Sequence, residues 1–304
     1  MQKLALGTVQ FGVNYGINSV AGQVKEKEVK HILDYAFSKG IDLLDTAPAY
    51  GDSEETLGKV GVKDFKVITK TRSFNGSTID QTTLKTIQND FYLSLKNLKQ
   101  DSIYGVLVHN ANDLLRSGSE ILFNKLNDLK RAKKIKKIGV SIYDHIQLKS
   151  IIENFDIDLV QLPINILDRR LIDSGLLATL QSKGIEVHAR SVFLQGLLLM
   201  PDQNRPDKFK RWSILWKMWH DWLNDNQITA LEATIRHVIS MPEISKVLVG
   251  VDTKDQLKEI VTASSGALPD IPPEMFTNDV DLLNPSNWGG CENCSVGTGK
   301  NGID

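Results

Sequence analysis

The chain has 304 residues, of which 41% are hydrophobic and 24% are charged. Its 36 basic and 37 acidic side chains nearly cancel to a formal net charge of −1, which argues against whole-surface attraction to nucleic acid or to an anionic membrane. We find neither a secretory leader pattern nor an apolar run long enough for a membrane span. We therefore expect a cytoplasmic protein without nucleic-acid or membrane partners.

The secondary-structure pattern is an alternation of short β-branched runs with longer amphipathic stretches. The predicted strands span residues 4–8, 41–45, 65–70, 103–109, 137–141, 159–162, 186–190 and 246–250. The predicted helices lie near residues 29–37, 54–59, 79–98, 120–133, 145–154, 171–183 and 228–241. Eight strands separated by helices within about 250 residues predict a (β/α)8 TIM barrel, an α/β fold with one domain over residues 1–287.

One segment, residues 200–224, interrupts this alternation between the seventh strand and its helix. Tryptophans recur there three or four positions apart, which predicts a helix with one aromatic face, formed by Trp212, Trp216, Trp219 and Trp222. Two interpretations stay open. The helix packs over the rim of the barrel, or some indoles lie in the substrate mouth or at a subunit contact, so the oligomeric state is undetermined.

The last residues, 288–304, form a Gly-rich stretch that we expect to be a disordered, flexible tail. It holds both cysteines, Cys291 and Cys294, whose Cys-x-x-Cys spacing leaves a redox or metal role as the alternative to two plain thiols. Two thiols cannot complete a four-ligand zinc site, and the histidines of the chain are scattered. No metal site is predicted.

Polar residues stand where six of the predicted strands end. They are Asp45, Lys70, His109, Ser141, Gln161 and Arg190. Because the active sites of (β/α)8 barrels gather at the carboxyl ends of the strands, we expect these side chains to converge. Tyr50 follows Asp45 by five residues, on the loop that should face the same mouth. A carboxylate, an ammonium group, an imidazole and a phenol in one mouth predict an enzyme.

Tyr50 is the expected proton donor of this site. A phenol with an ordinary pKa near 10 exchanges protons poorly at neutral pH. We therefore expect a nearby Lys70 to lower the pKa of Tyr50, and Asp45 to keep Lys70 charged. His109, one strand further round the barrel, is expected to orient a carbonyl oxygen by hydrogen bonding.

The run Asp-Thr-Ala-Pro-Ala-Tyr-Gly-Asp-Ser-Glu at residues 45–54, followed by Lys70 and His109, resembles the aldo/keto reductase family, and the likeness covers most of residues 4–260. The resemblance implies that Asp45, Tyr50, Lys70 and His109 are a catalytic tetrad. It also implies an NAD(P)H-dependent reduction of an aldehyde or ketone to an alcohol. The opening run Leu-Gly-Thr-Val-Gln-Phe-Gly looks like that of bacterial members linked to surface-sugar pathways, so a sugar-derived carbonyl is one candidate substrate.

The same resemblance implies a nicotinamide cofactor that extends across the barrel mouth, without a Rossmann domain. The residues that it places around the cofactor are Gly7, Thr8, Ser141, Gln161, Arg190, Ser191, Phe193, Gln195, Gly196, Gly250, Asp252, Thr253 and Gln256.

Two departures from the family pattern bear on the cofactor. Arg190 stands where many members stack a tyrosine, and Asp252 stands where many members carry a cation for a 2′-phosphate. NADP is expected on family grounds, with NAD as the close alternative because Asp252 would repel a phosphate and accept from ribose hydroxyls. The alternative to an enzyme is a cofactor-binding sensor or regulatory subunit with slow or no turnover.

Overall fold

The computed structural model describes residues 3–16, 22–74, 76–143 and 145–288. Its strands form a closed parallel barrel in chain order, in which β8 pairs with β1. The strands are Leu4–Gly7 (β1), Leu43–Asp45 (β2), Lys66–Lys70 (β3), Ile103–Val108 (β4), Ile135–Ser141 (β5), Leu159–Pro163 (β6), Glu186–Arg190 (β7) and Lys246–Val249 (β8). The predicted (β/α)8 TIM barrel is confirmed.

Helices surround this barrel. The α-helices are Glu26–Ser38 (α1), Ser53–Val60 (α2), Gln81–Leu98 (α3), Ser119–Arg131 (α4), His145–Asn154 (α5), Arg170–Asp173 (α6), Leu176–Ser182 (α7), Ser213–Asp225 (α8), Ala230–Ser240 (α9), Lys254–Ala263 (α10) and Val280–Leu283 (α11). Short 3-10 segments lie at Val9–Phe11, Ala111–Leu114, Leu194–Leu199, Asp202–Asn204, Asp207–Trp212, Pro273–Met275 and Pro285–Asn287. None of the described helices is both long and apolar enough to cross a lipid bilayer.

The strands are apolar on both faces because one face fills the barrel and the other packs against the helices. One layer of interior side chains forms a cluster of its own, made of Ala5, Leu43, Ile68, Leu107, Leu159 and Leu248. This layer fills the barrel below its mouth, so the polar side chains at the carboxyl ends of the strands lie on an apolar floor.

The Trp-rich segment forms a second hydrophobic cluster beside the barrel. Trp216 and Trp219 on α8 are 2% and 0% exposed, and they pack with Leu194, Leu197 and Met275. The cluster thus joins α8, the loop after β7 and the C-terminal segment. This packing is the helical insertion expected after the seventh strand, and its indoles support the wall of the mouth from outside.

Three local features differ from the predicted elements. The helix predicted over residues 171–183 is interrupted because Gly175 takes a left-handed conformation with φ 71°, and α6 and α7 lie on either side of it. The helix α10 after the last strand was missed. Trp288, the first residue of the tail predicted over residues 288–304, is buried, and its indole N–H donates to the Leu282 carbonyl at 3.1 Å. Residues 289–304, with Cys291 and Cys294, lie outside the described residues.

Candidate active site

The carboxyl ends of the strands surround a cavity of about 460 Å³. Of the predicted site residues, all but Thr253 line it, including Asp45, Tyr50, Lys70 and His109. Thr253 instead lies directly before α10, where its hydroxyl accepts a hydrogen bond from the Gln256 backbone N–H at 3.2 Å. The structure therefore brings the predicted catalytic and cofactor-binding residues to one place and gives Thr253 a capping role.

Lys70 and Asp45 form a buried ion pair at the floor of the cavity. The Lys70 Nζ donates to the Asp45 Oδ2 at 2.6 Å and to the Thr46 carbonyl at 3.0 Å. Gln161 donates its Nε2–H to the second Asp45 oxygen at 2.7 Å. Burial lowers the pKa of Lys70, and the Asp45 carboxylate opposes that shift. Because each charge has several polar partners, the pair is held in one geometry.

The Tyr50 loop is fixed by the close approach of two glycines. A Cβ atom on Gly12 would lie 1.7 Å from the Tyr50 carbonyl oxygen, and one on Gly51 would lie 2.5 Å from the Gly12 carbonyl oxygen. Gly51 also has φ 54°, a conformation that favours glycine. Nearby, the buried Thr8 and Ser53 hydroxyls lie 2.8 Å apart. The loop after β2 therefore packs directly on the loop after β1, which positions the phenol.

The Tyr50 ring lies between a cation and an imidazole. The Lys70 Nζ is 4.7 Å from the ring centroid, and the His109 ring centroid is 6.3 Å away at an interplanar angle of 86°. Burial and the negative charge of Asp45 raise the pKa of Tyr50 well above 10. The expectation of a lowered Tyr50 pKa is therefore wrong, because burial disfavours the phenolate and the negative charge of Asp45 acts in the same direction. Tyr50 is therefore a protonated phenol at neutral pH.

His109 is held as a neutral imidazole. Burial, with the positive charges of Lys70 and Arg190, lowers the pKa of His109 to about 3. Its backbone N–H donates to the Thr71 hydroxyl at 3.2 Å, which ties the end of β4 to the end of β3. A neutral imidazole carries one N–H donor and one acceptor nitrogen. His109 can therefore donate a hydrogen bond to a carbonyl oxygen across the range of physiological pH.

The neutral state of His109 predicts a pH dependence of stability. A histidine in the unfolded chain, with an ordinary pKa of about 6.5, becomes protonated below that pH. In the folded protein, His109 stays neutral down to about pH 3. Because the unfolded state then binds more protons, the free energy of unfolding should fall by up to about 1.4 kcal/mol per pH unit below pH 6.5 through this residue. When the free energy of unfolding is measured with urea at several pH values, its slope against pH should be shallower in His109→Gln than in the wild type.

The control for this prediction is His31→Gln, which removes a histidine of α1 whose side chain is 45% exposed. That variant should keep the wild-type slope between about pH 6 and pH 4. Equal slopes for wild type and His109→Gln would show that His109 is charged in the folded protein.

The loop after β7 has an unusual backbone. Ser191, Leu194 and Gln195 have φ values of 60°, 48° and 54°, in the left-handed region that is unfavourable for side chains other than glycine. Such strain is typical of functional loops, because it persists only where the surrounding structure holds the backbone in place. The segment lines the cavity and contains Ser191, Phe193, Gln195 and Gly196, which the resemblance places around the cofactor.

Two buried acceptor atoms lie at the β8 side of the cavity without a donor among the described residues. They are the Gln10 Oε1 and the Asp252 Oδ1. A Cβ on Gly250 would lie 2.5 Å from the Gln10 Nε2, so the glutamine side chain covers that glycine. Buried acceptors need donors, and ribose hydroxyls would supply them, so this end of the cavity fits the nucleoside part of a dinucleotide.

Several cavity residues were not predicted as site residues, among them Gln10, Tyr15, Tyr143 and Glu259. Tyr143 follows Ser141 by two residues at a strand end, so its position was readable from the sequence. Glu259 lies on α10, which the sequence analysis missed. The tryptophans of α8 do not line the cavity, so the described structure places them in the rim and not in the mouth.

Comparisons with known proteins identify the family of the chain. The model of the aldo/keto reductase family matches residues 3–274. The chain belongs to the aldo/keto reductase family. Its relatives include an NADH-specific methylglyoxal reductase of Escherichia coli (strain K12), which is 25% identical over 278 residues, or 80% of this chain and 85% of the relative. The L-galactose dehydrogenase of Arabidopsis thaliana is 27% identical over 280 residues, or 86% of this chain and 85% of the relative.

A solved structure shows the same fold. The aldo-keto reductase from Bacillus halodurans, in its holo form, superposes with a TM-score of 0.67 at 21% identity and covers 90% of this chain and 89% of its own. Family membership makes the chain an oxidoreductase of a family that works with nicotinamide cofactors on small carbonyl compounds.

Proposed function

We propose that this aldo/keto reductase uses NADH to reduce an aldehyde or ketone to an alcohol. The observation that carries the proposal is the convergence of Tyr50, His109 and the Lys70–Asp45 pair in one cavity, with the phenol ring between the ammonium group and the imidazole. A bound dihydronicotinamide would supply the hydride to the carbonyl carbon. The protein then has to bind the carbonyl oxygen, supply one proton and keep water from the reacting atoms.

The described side chains suit these tasks. His109 donates a hydrogen bond that orients the carbonyl oxygen, and Tyr50 gives its proton to that oxygen as the hydride arrives at the carbon. The alcohol leaves with the hydride and the proton, and Tyr50 remains as a phenolate until it takes a proton from water. The positive charge of Arg190 opposes the raised pKa of Tyr50 and so stabilises the phenolate when it forms, while the Lys70 Nζ lies 4.7 Å from the centroid of the ring.

The charges at the β8 side of the cavity favour NADH over NADPH. Asp252 and Glu259 line this side, and no Lys or Arg side chain lines it there among the described residues. A 2′-phosphate carries acceptor oxygens and negative charge, so it would meet two carboxylates and leave the Asp252 Oδ1 without a donor. A 2′-hydroxyl would donate to that oxygen. We therefore infer that NAD is the preferred cofactor, in place of the NADP expected on family grounds.

This inference predicts a measurable cofactor preference. NADH should bind at least about tenfold more tightly than NADPH, because the loss of one charge-assisted hydrogen bond costs about 1.5–3 kcal/mol. Asp252→Ser combined with Glu259→Gln should reduce the ratio of the two dissociation constants toward one. Isothermal titration calorimetry with each reduced cofactor measures this without turnover.

The matched control is Asp255→Asn, which neutralises an exposed carboxylate on α10, the helix that carries Glu259. The Asp255 side chain does not line the cavity. It should leave the NADH to NADPH ratio unchanged. Tighter binding of NADPH than of NADH by the wild-type protein would refute the NAD assignment and restore the family expectation.

The proposed function is tested by turnover. The protein with NADH and a panel of aldehydes, dicarbonyls and sugar lactones or aldoses should lose reduced-nicotinamide absorbance in proportion to the alcohol formed. Methylglyoxal belongs in this panel because of the name of one relative, and L-galactose is assayed separately with NAD⁺ because the other relative is named a dehydrogenase, which oxidises its substrate. Tight NADH binding without turnover of any carbonyl would favour the cofactor sensor over the enzyme.

A further inference from the structure

Arg190 is a cavity cation that forms no ion pair with a carboxylate among the described residues. Its guanidinium donates to the Ile142 carbonyl at 2.9 Å and to the Ser191 hydroxyl at 3.2 Å, and it lies 4.0 Å from the centroid of the Tyr143 ring. These contacts fix the guanidinium across the ends of β5, β6 and β7. None of them supplies a formal negative charge, so the positive charge of Arg190 acts on the cavity.

The charge of Arg190 reaches the groups that surround the reacting atoms. Burial is the largest cause of the shifted pKa values of Tyr50, Lys70 and His109. Arg190 adds to the lowering of the pKa of Lys70 and His109, and it opposes the rise of the pKa of Tyr50. A hydride donor has to contact the carbonyl carbon beside Tyr50 and His109. The ring of a bound nicotinamide would therefore lie in the field of Arg190.

The reacting end of the cavity carries one net positive charge. The charges of Lys70 and Asp45 cancel in an ion pair at 2.6 Å, and Tyr50 and His109 are neutral at neutral pH. The charge of Arg190 remains. A reduced nicotinamide ring is neutral and leaves this balance unchanged, whereas an oxidised ring is a cation and adds a second positive charge to the same partly buried place.

We infer that Arg190 makes this site select the oxidation state of its nicotinamide, so that NADH binds more tightly than NAD⁺ and the oxidised cofactor is released readily after reduction. This inference rests on the nicotinamide binding of the proposed function. A phenolate at Tyr50 would offset the oxidised ring only until Tyr50 takes up its next proton. A neutral tyrosine, which many members of the family carry in place of Arg190, would not distinguish the two forms by charge.

Isothermal titration calorimetry with NADH and with NAD⁺ tests the inference without turnover. In the wild type, the dissociation constant of NAD⁺ should exceed that of NADH by at least about tenfold, because two like charges in a partly buried site repel. Arg190→Gln and Arg190→Tyr remove the charge and should lower this ratio by at least about fivefold. Arg190→Lys should keep most of the ratio, because the charge stays although the planar fork is lost.

ADP-ribose is the matched control ligand, because it has the diphosphate and both riboses of the dinucleotide but lacks the nicotinamide ring. Its dissociation constant should differ by less than about threefold between the wild type and Arg190→Gln. Equal weakening of ADP-ribose, NADH and NAD⁺ by Arg190→Gln would mean that Arg190 holds the diphosphate, and it would overturn the inference.

The control variant is Arg72→Gln, which removes an arginine paired with Asp90 at 3.0 Å outside the cavity and should keep the wild-type ratio. A ratio that neither Arg190→Gln nor Arg190→Tyr lowers overturns the inference, and NADH binding then leaves the proposed function in place. Absence of carbonyl turnover with the ratio intact overturns the reductase alone. Failure of the wild-type protein to bind NADH overturns both.

Discussion

Replacing Tyr50 by Phe should lower kcat for carbonyl reduction by about a hundred- to ten-thousandfold, the range that a positioned general acid contributes. The ring of the variant keeps its place between the glycine-supported loops and its contact with Lys70, since the phenol hydroxyl alone is removed. Calorimetric binding of NADH should therefore change by less than about threefold. The separation of kcat from cofactor affinity identifies the hydroxyl as the proton donor.

The matched control is Tyr104→Phe. Tyr104 lies near the amino-terminal end of β4, at the opposite end of the barrel, where its hydroxyl donates to Glu186 at 2.8 Å. This variant loses a tyrosine hydroxyl and a hydrogen bond to a carboxylate but should retain wild-type kcat. If Tyr50→Phe retained more than about a tenth of the wild-type kcat, another group would have to deliver the proton.

Replacing Lys70 by Met should lower the free energy of unfolding by about 3–5 kcal/mol. The Lys70 and Asp45 side chains are 1% and 5% exposed, so removing the ammonium leaves a carboxylate buried without its counterion. The Gln161 amide alone then stabilises that charge. Urea unfolding at neutral pH measures the loss, and the double variant Asp45→Asn, Lys70→Met should recover part of it because no unpaired charge remains.

The same strand offers a control with the same chemistry at the surface. Lys66 pairs with Asp42 at 2.8 Å, but the two side chains are 50% and 35% exposed. Lys66→Met should cost less than about 1 kcal/mol, as solvent-exposed ion pairs do. Similar losses for Lys66→Met and Lys70→Met would mean that water reaches the Lys70–Asp45 pair.

The barrel was predictable because its strands are buried on both faces and end in polar residues. The pairing of Lys70 with Asp45 followed from the same pattern, since β2 and β3 are neighbours whose carboxyl ends meet. Gly175, by contrast, lies inside an apolar helical pattern, and periodicity did not reveal that its left-handed backbone separates two helices. A pattern of apolar positions reports which face is buried and says little about the backbone at one glycine.

The electrostatics of the site depended on distances that the sequence does not contain. Identifying Lys70 beside Tyr50 suggested a lowered phenol pKa, whereas the structure shows that burial and the negative charge of Asp45 raise the pKa. Of the two carboxylates at the β8 side of the cavity, the sequence identified Asp252. Glu259 was not identified, because it lies on a helix that the sequence analysis did not predict.

The five tryptophans of the chain all belong to the cluster beside the barrel: Trp212, Trp216, Trp219, Trp222 and Trp288. Tryptophan emission of this protein therefore originates from the cluster beside the barrel, and the eight-stranded barrel contributes none of it. A denaturation curve measured by tryptophan emission therefore follows the unfolding of this cluster, while circular dichroism follows the helices around the barrel. Different midpoints of the two curves would show that the cluster and the barrel unfold in separate steps.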